Sequence, residues 1–452
     1  MLRKFRFGQK PTYVKFAEDI DLFGLFERIN AVSDTCFILE SLGAESRLSR
    51  YSLIGFDPQH NIVGEPSALF LDGTRFAVPN PYYALRELVP TDILARNYAG
   101  GLIGYLGYDA MNFMEPALQV RRYPGFPPFR FGVYTDGLVL DKMTGELFYF
   151  HYGTNRQAKL ESVLAAPAPK YNLTITLGSD SLTREQYART VEQTKEEIRA
   201  GNTFQCQVGF RKEFTRSGNP LPLYRRLREV NPSPFMYFVR FGEQYIIGAS
   251  PELLFKLSDG VMETYPLAGT VRRGATEEED TKLARQLLND PKEIAEHNML
   301  VDLHRNDIGR VAEFGSVKVK SLMDIRKFSH VQHISSEISG HIRAGEDMFS
   351  ALAANFPAGT LTGAPKIESM KIIDRMEPTP RGPYGGALGH FGFNGNCTFA
   401  IPIRTLFIDG EQGYTQASGG VVYDSTAEGE YDEVQRKMRA IVEVLSSFTA
   451  KP

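Results

Sequence analysis

Short β-prone runs that arrive in clusters, with Gly, Pro or Asp between them, constrain the fold of this chain more than any other feature. Cys36–Leu39, Leu102–Leu106 and Gly132–Leu140 fall early, and Phe235–Phe241, Tyr245–Gly248 and Cys397–Phe407 follow later. With 41 glycines and 26 prolines in 452 residues, turn punctuation is plentiful. Strict strand–helix alternation would predict a parallel, doubly wound sheet; clustered strands predict antiparallel sheets and an α+β fold. Helical patterns at about 278–304, 364–376 and 427–447 supply the α part. No fixed-period repeat occurs, which excludes a solenoid.

The Ala/Pro run 165–170 stops a helix and reads as a linker. It separates two expected units, residues 1–165 and 180–448. Just beyond it, Thr183 is placed to cap a helix that carries Glu185 and Gln186 in its first turn.

Composition removes several function classes. The 51 Lys+Arg against 54 Asp+Glu give a net charge of −3, too little positive charge for a nucleic-acid binder that relies on a basic surface. No apolar run approaches the ~18–20 residues that span a bilayer, and the basic start MLRKFRF has no apolar segment behind it, so neither a membrane span nor a secretory signal is expected. Cys36, Cys206 and Cys397 are far apart and form no CxxC, which argues against disulfides and thiolate metal cages and predicts a reducing, cytoplasmic setting. The chain has 21 Tyr and 31 Phe but no Trp, either by chance or because it must be made when tryptophan is scarce.

Two helices carry carboxylates where apolar residues are expected. In NDPKEIAEHNMLVDLHRND, Asp290 can cap, Pro291 can open the helix, and Glu293 can close a capping box. Glu296 then shares a stripe with Met299, Leu300 and Leu303. An unpaired buried carboxylate costs several kcal/mol, so a cation must stand nearby, either Arg or Lys or a metal. In STAEGEYDEVQRKMRAIVEVL, Ser425 and Glu428 can form a capping box. Glu430 and Glu433 lie beside the stripe Tyr431, Val434, Met438, Ile441 and Leu445, with Lys437 one turn on. This is either a solvated acidic face or, together with Glu296, a seat for Mg²⁺, which takes one or two carboxylates and keeps water or substrate oxygens.

Other groups suit an anion. Thr360, Thr362 and Gly363 precede a helix that Pro365 can open, a favourable place for a carboxylate or phosphate. Ser418–Gly420 offers a close-approach backbone, Arg404 ends the apolar run AIPIR, and Tyr384 stands among glycines. Singly these are turns or surface groups; together they describe a pocket for a small polycarboxylate. His333, with His330 three residues before it, lies on an alternating stretch and is either a structural hydrogen-bonder or an acid–base group. GxxxxGK[ST], GxGxxG, GxSxG and HExxH are all absent.

This constellation resembles the chorismate-utilising enzymes, whose branches include anthranilate, aminodeoxychorismate, isochorismate and salicylate synthases. The matching segments are SPELLF (250–255), PLAGTVRRG (266–274), KEIAEHNMLVDLHRNDIGRV (292–311), FSHVQHISSEISG (328–340), GTLTGAPK (359–366), YGGALGHF (384–391), IPIRT (401–405) and ASGGVVYDS (417–425) with its following helix. In the amino-terminal part, FILESLG (37–43) and SRYSLIGFDP (49–58) resemble the companion domain of the anthranilate and aminodeoxychorismate branches. The resemblance implies that family's composite fold, antiparallel sheets packed as a β-sandwich with flanking helices.

It also implies roles. Glu296 and Glu433 would hold Mg²⁺ on the ring carboxylate of chorismate, with Gly269 and Thr270 at the same end. Tyr384, Arg404 and the Ser418, Gly419 and Gly420 backbone would hold the enolpyruvyl carboxylate. His333 would serve as the acid–base group, Thr360 would line the pocket, and Lys437 would support a carboxylate. Ser41 with Pro234, Phe235 and Met236 resembles the tryptophan feedback pocket of the anthranilate branch.

Ala268 speaks to the branch. Family members that add water, or form a covalent adduct, read KGT where this chain reads AGT. A lysine there activates water or attacks the ring itself, whereas ammonia needs no such base. The expected reaction is therefore chorismate plus ammonia to anthranilate and pyruvate. A separate glutamine amidotransferase subunit in a heterotetramer would supply the ammonia, since no cysteine sits in a Gly-x-Cys-x-Gly elbow. The alternatives are an aminodeoxychorismate synthase component and an amination-only aminodeoxyisochorismate synthase. The chain departs from the anthranilate branch at Ser418-Gly419-Gly420, where Gly-Ala-Gly is common, at Phe235, where Tyr is frequent, and at His304 and His390.

Overall fold

The central strands are apolar on both faces, and this decides where they lie. Along Phe235–Phe241, Tyr237, Val239 and Phe241 enter one core while Met236 and Phe238 enter another. The same alternation divides Ile246 from Tyr245 and Ile247, and Phe407 from Leu406 and Ile408. Side chains alternate across a strand, so each of these strands is covered on both sides.

The computed structural model describes residues 2–8, 10–16, 20–42, 50–95, 98–327 and 331–449; Gly43, Ser49 and His330 lie outside them. Two sheets of twelve strands each are antiparallel in every pairing. The first core fills the space between them, where Phe37, Tyr237 and Phe407 of one sheet meet Phe129, Phe391 and Phe399 of the other. On the outer face of the first sheet, the helices Leu22–Val32, Leu221–Val230 and Ala427–Ser446 cover Cys36, Ile38, Phe238 and Ile247. The architecture is the expected α+β sandwich with flanking helices. Both sheets contain strands from before and after the 165–170 run, so the division of the chain there does not divide the sheets.

A third core positions the site. The helices Arg184–Arg199, Lys366–Met376 and Ala427–Ser446 pack Tyr187, Val191, Ile372, Ile373, Val434 and Met438 onto Cys206, Val208, Phe210, Ala417 and Val421. Those last residues belong to the paired strands Gln205–Gly218 and Gln412–Val421.

Local signals decide several boundaries. Thr183 caps its helix in a full capping box with Gln186, and Asp290 accepts from the backbone of Lys292 and Glu293. The pattern at 278–304 is two helices, Glu277–Leu287 and Pro291–Gly309, because Pro291 can open a helix but not continue one. The last helix is capped by Thr426 rather than Ser425; Ser425 instead donates to Glu430. The run Cys397–Phe407 splits into Cys397–Ala400 and Thr405–Asp409. Pro402 has no N–H to give a ladder, and Arg404 turns left-handed at φ 52.

Phe391 is fully buried between Phe349, at 4.6 Å between ring centroids, and Phe399, at 4.7 Å. Phe391→Ala is expected to destabilise the chain by about 3–5 kcal/mol, lowering the urea midpoint. Phe314→Ala, at a fully exposed ring, should leave that midpoint unchanged.

Candidate active site

The floor of the site is the strand pair just described, in which Gln207 faces Gly420, Val208 faces Gly419 and Gly209 faces Ser418. A Cβ at Gly420 would stand 2.6 Å from Gln205 Nε2 and 2.8 Å from Gln207 Nε2, and one at Gly419 would strike Glu430 Oε2. The glycines therefore leave space that polar side chains enter. Gln205 donates to Glu296 Oε1 at 2.8 Å. Ser418 donates to Gln207 Oε1 at 3.2 Å, and the hydroxyls of Tyr384 and Ser418 are 3.0 Å apart. Lys437 Nζ donates to the Ser418 carbonyl at 2.8 Å and pairs with Glu433 at 2.7 Å.

Four carboxylates gather at one end. Glu293 and Glu296 are three residues apart on one helix, Glu430 and Glu433 three apart on another. The Glu293 carboxyl is raised above its usual range by burial and then by Glu296 and Asp290, with Glu433 adding to the effect. Glu430 is raised by burial, with Glu433 adding and Ser425 opposing. Burial also works to raise Glu433, but Lys437, Arg436 and Lys292 outweigh it and its carboxylate ionises more easily than usual. Glu430 Oε2 is buried without a hydrogen-bond partner. A built Cβ at Gly269 would lie 2.9 Å from Glu293 Oε2, which brings the Gly269–Thr270 pair to the same acidic end.

Among the described residues no three His, Cys, Asp or Glu side chains stand together so as to hold a metal ion. The chemistry of the donor set suits a hard divalent cation of the kind that takes one or two carboxylates and keeps water or substrate oxygens. All its atoms are carboxylate oxygens, one is orphaned, and their mutual repulsion is what such an ion relieves.

Gly269 and Thr270 occupy a bulge in the strand Leu267–Arg272, between Ala268 and Val271, and Gly269 has φ 63. The bulge turns the Gly269 carbonyl onto His333, whose Nδ1–H donates to it at 2.8 Å and lies 3.1 Å from Thr270 Oγ1. A carbonyl only accepts, so the neutral ring carries its proton on Nδ1 and its lone pair on Nε2. Burial pulls the His333 pKa down to about 4, helped by Arg404 and Lys437 and opposed by the Gly269 bond. His333 is therefore a neutral base above that pH.

Arg404 holds its left-handed backbone at a cost on the order of 1–3 kcal/mol. Burial lowers its pKa, and Glu252 opposes that shift. No protein acceptor among the described residues engages its guanidinium. Glu252 is raised by burial to about 7, against the opposing pull of the Thr360 hydrogen bond, Lys437 and Arg404. Thr360 donates to Glu252 Oε1 at 2.9 Å.

Ser41 and Pro234–Met236 meet where two central strands of the first sheet pair. Met236 pairs with Glu40, and Leu42 donates its N–H to Ser233 at 3.0 Å. Ser41 Oγ and Asn231 Nδ2 are both buried without hydrogen-bond partners.

Several expectations change in detail. Glu296 finds the amide of Gln205 rather than an Arg or Lys. Arg404 ends no strand; it sits in the break between two. His304 is buried against Thr264 at 2.8 Å, and His390 stacks edge-on with Tyr98, so both are packing groups. Sequence reasoning gave no role to Gln205, Gln207, Glu252 or the buried pair Arg381–Glu377, and gave Glu293 only a capping role. Glu252 was visible within SPELLF as a carboxylate directly before an apolar run. The glutamines of QCQ were visible as polar residues alternating on an otherwise buried strand.

Comparison with known proteins identifies the family. The chorismate binding enzyme family matches residues 34–443. Anthranilate synthase component 1 of Leptospira biflexa is 53% identical over 98% of both chains. The protein of that name from Methanothermobacter thermautotrophicus is 42% identical over 93% of this chain and 91% of its own. The crystal structure of anthranilate synthase component I from Streptococcus pneumoniae superposes with a TM-score of 0.79 at 35% identity, over 88% of this chain and 93% of its own. The menaquinone-specific isochorismate synthase of Escherichia coli shares the fold at a TM-score of 0.72 and 16% identity, over 96% of this chain and 94% of its own. The chain thus belongs to the chorismate-binding enzyme family, in its anthranilate synthase component I branch.

Proposed function

We propose that this chain converts chorismate and ammonia to anthranilate, pyruvate and water. The observation that carries the reading is a half-buried guanidinium, Arg404, with no protein acceptor, in a site that also gathers four carboxylates. A dianion is gripped at one end by a cationic side chain and at the other through a cation that the carboxylates hold. Ala268 supports the choice of nucleophile, because the position directly before Gly269–Thr270 is an alanine and carries no amine to activate water.

Arg404 forks onto the enolpyruvyl carboxylate, with the Tyr384 hydroxyl and the Ser418–Gly420 backbone beside it. Glu296 and Glu433, with Glu293 and Glu430 behind them, would hold Mg²⁺ next to Gly269 and Thr270. When bound, Mg²⁺ supplies the positive charge that fixes the ring carboxylate and polarises the ring. Ammonia attacks C2 with its lone pair, the ring double bonds shift, and the C4 hydroxyl leaves. Glu252, raised to about 7, donates the proton that lets the hydroxyl leave as water. The attacking nitrogen then loses a proton to become an amine. In the second stage His333 Nε2 takes the C2 proton and the bond from C3 to the enolpyruvyl oxygen breaks as the ring becomes aromatic; the enolate that departs takes up a proton at its methylene carbon to become pyruvate, which balances the one taken from C2. His333, held neutral, suits the base, and Glu252 suits the acid.

The ammonia would come from a separate glutamine amidotransferase subunit, with two copies of each chain in a heterotetramer. Buried Cys36, Cys206 and Cys397, all with thiols pushed up by burial, support this, since none is an activated nucleophile. Tryptophan would act as feedback inhibitor at Ser41 and Pro234–Met236, where the orphaned Ser41 hydroxyl and Asn231 amide suit its polar α-groups. The chain would work in the cytoplasm, where its thiols stay reduced; no helix among the described residues is long and apolar enough to cross a membrane.

Purified chain with chorismate, ammonium chloride and Mg²⁺ should release anthranilate and pyruvate in equal amounts, and chelation should stop both. Consumption of chorismate without pyruvate would identify an amination-only synthase, and a 4-amino product an aminodeoxychorismate synthase. His333→Ala is expected to lower kcat by about 10²–10⁴-fold. Ser41→Phe should weaken tryptophan inhibition by at least about tenfold, the effect of ~1.4 kcal/mol, while leaving ammonia-dependent kcat near the parent value. Unchanged inhibition would move the effector site elsewhere.

A further inference from the structure

Glu252 is held very unevenly. Its backbone is fixed on both sides: its N–H donates to Ser250 Oγ at 3.2 Å, and its carbonyl accepts from Ile401 N at 3.1 Å. In its side chain, Oε1 accepts from Thr360 at 2.9 Å, while Oε2 has no protein partner among the described residues. Thr360 lies in the short turn Gly359–Leu361, whose carbonyl at Leu361 is held by the buried Arg381 at 2.6 Å. Its β-branched side chain has little χ1 freedom, so the hydroxyl is presented from a fixed position.

We propose that Thr360 is a positioning residue that keeps the transferable proton of Glu252 on Oε2, the oxygen open to the substrate. This rests on the reading of Glu252 as the acid at C4. A threonine hydroxyl has one proton, and it is spent on Oε1. With its lone pair so engaged, Oε1 is the carbonyl oxygen of the neutral carboxyl, and the acidic proton resides on Oε2. Without Thr360 the proton is free to occupy either oxygen, and half of the rotamers point it away from the leaving group.

The same bond has a second consequence for pH dependence. Hydrogen bonding to the charged form favours ionisation, as do the two cations that face Glu252: Arg404 from the break between two strands and Lys437 from the C-terminal helix. Burial opposes all three. An acid works while protonated, so activity is present below its pKa and is lost as pH rises through it. Removing the Thr360 hydroxyl raises that pKa and carries activity to higher pH even as the rate falls.

The test compares the parent with Thr360→Val, Thr360→Ser and Glu252→Gln, following kcat and kcat/KM for chorismate against pH at constant free ammonia. Thr360→Val should lower kcat about tenfold with KM within about threefold, a loss seen mainly in the transition state. It should also move the basic limb of kcat/KM upward by about half to one pH unit, the equivalent of one modest hydrogen bond. Thr360→Ser should restore both. Urea midpoints keep loss of fold separate from loss of positioning, and Thr360→Ala serves if the valine variant does not fold. If Glu252→Gln is nearly inactive while Thr360→Val leaves the limb and kcat where they were, the positioning role is overturned and the acid stands. If Glu252→Gln keeps the parent's activity and basic limb, the acid assignment falls and the role of Thr360 falls with it.

Discussion

The buried ion pair Arg381–Glu377 is the interaction on which the site depends. Both side chains are almost wholly buried and meet at 2.8 Å. Such a pair is tolerable only when its remaining hydrogen-bonding capacity is met, because desolvation of two charges otherwise exceeds their attraction. Here Arg381 donates to the carbonyls of Leu361 and Gln207, and Glu377 accepts from the Gly209 N–H and the Gln416 amide. Four segments thereby converge on one pair: the turn that carries Thr360, both floor strands, and the end of the helix Lys366–Met376. Tyr384 follows Arg381 by three residues, and the guanidinium lies 5.5 Å from its ring centroid. Catalytic geometry in this chain is set by a structural ion pair that need not touch the substrate.

From that anchor the electrostatics separate cleanly. Arg404 has its positive charge unpaired in a partly desolvated place, and Glu293, Glu296, Glu430 and Glu433 crowd negative charge at the other end. Each arrangement is costly alone. In the proposed reading, chorismate with a divalent cation would satisfy both, the site being the complement of a small dianion. Lys437 links the acidic end to the floor of the site, pairing with Glu433 while donating to the Ser418 carbonyl. His333 and Glu252 are driven apart, the one down to about 4 and the other up to about 7, so a neutral imidazole and a partly protonated carboxyl coexist at neutral pH, as the proposed base and acid require.

Much of this was legible in the sequence because its causes are local. Alternating apolar residues in Phe235–Phe241 and the cap at Thr183 act within a few residues, and the chain follows them. The carboxylates of the two acidic helices were legible because a charge on an apolar stripe demands an explanation. What the sequence concealed depends on partners far along the chain. The strand expected over Cys397–Phe407 breaks at Pro402 and Arg404, and only the turn of Arg404 toward Glu252 gives that break a purpose. Gln205 meets Glu296 across 91 residues and Thr360 meets Glu252 across 108. A glutamine on a buried strand and a glutamate before an apolar run signal that a partner exists, without naming it.

The grip on both ends of a dianion is tested most directly by calorimetric titration of chorismate into the parent chain and into Arg404→Gln, each with Mg²⁺ and with chelator. Loss of a charge-assisted pair of about 2–3 kcal/mol predicts a roughly 30- to 150-fold weaker Kd for Arg404→Gln in Mg²⁺. Chelation should remove what binding remains. Equal affinity of the two proteins would contradict the account, since the half-buried guanidinium would then hold no part of the substrate.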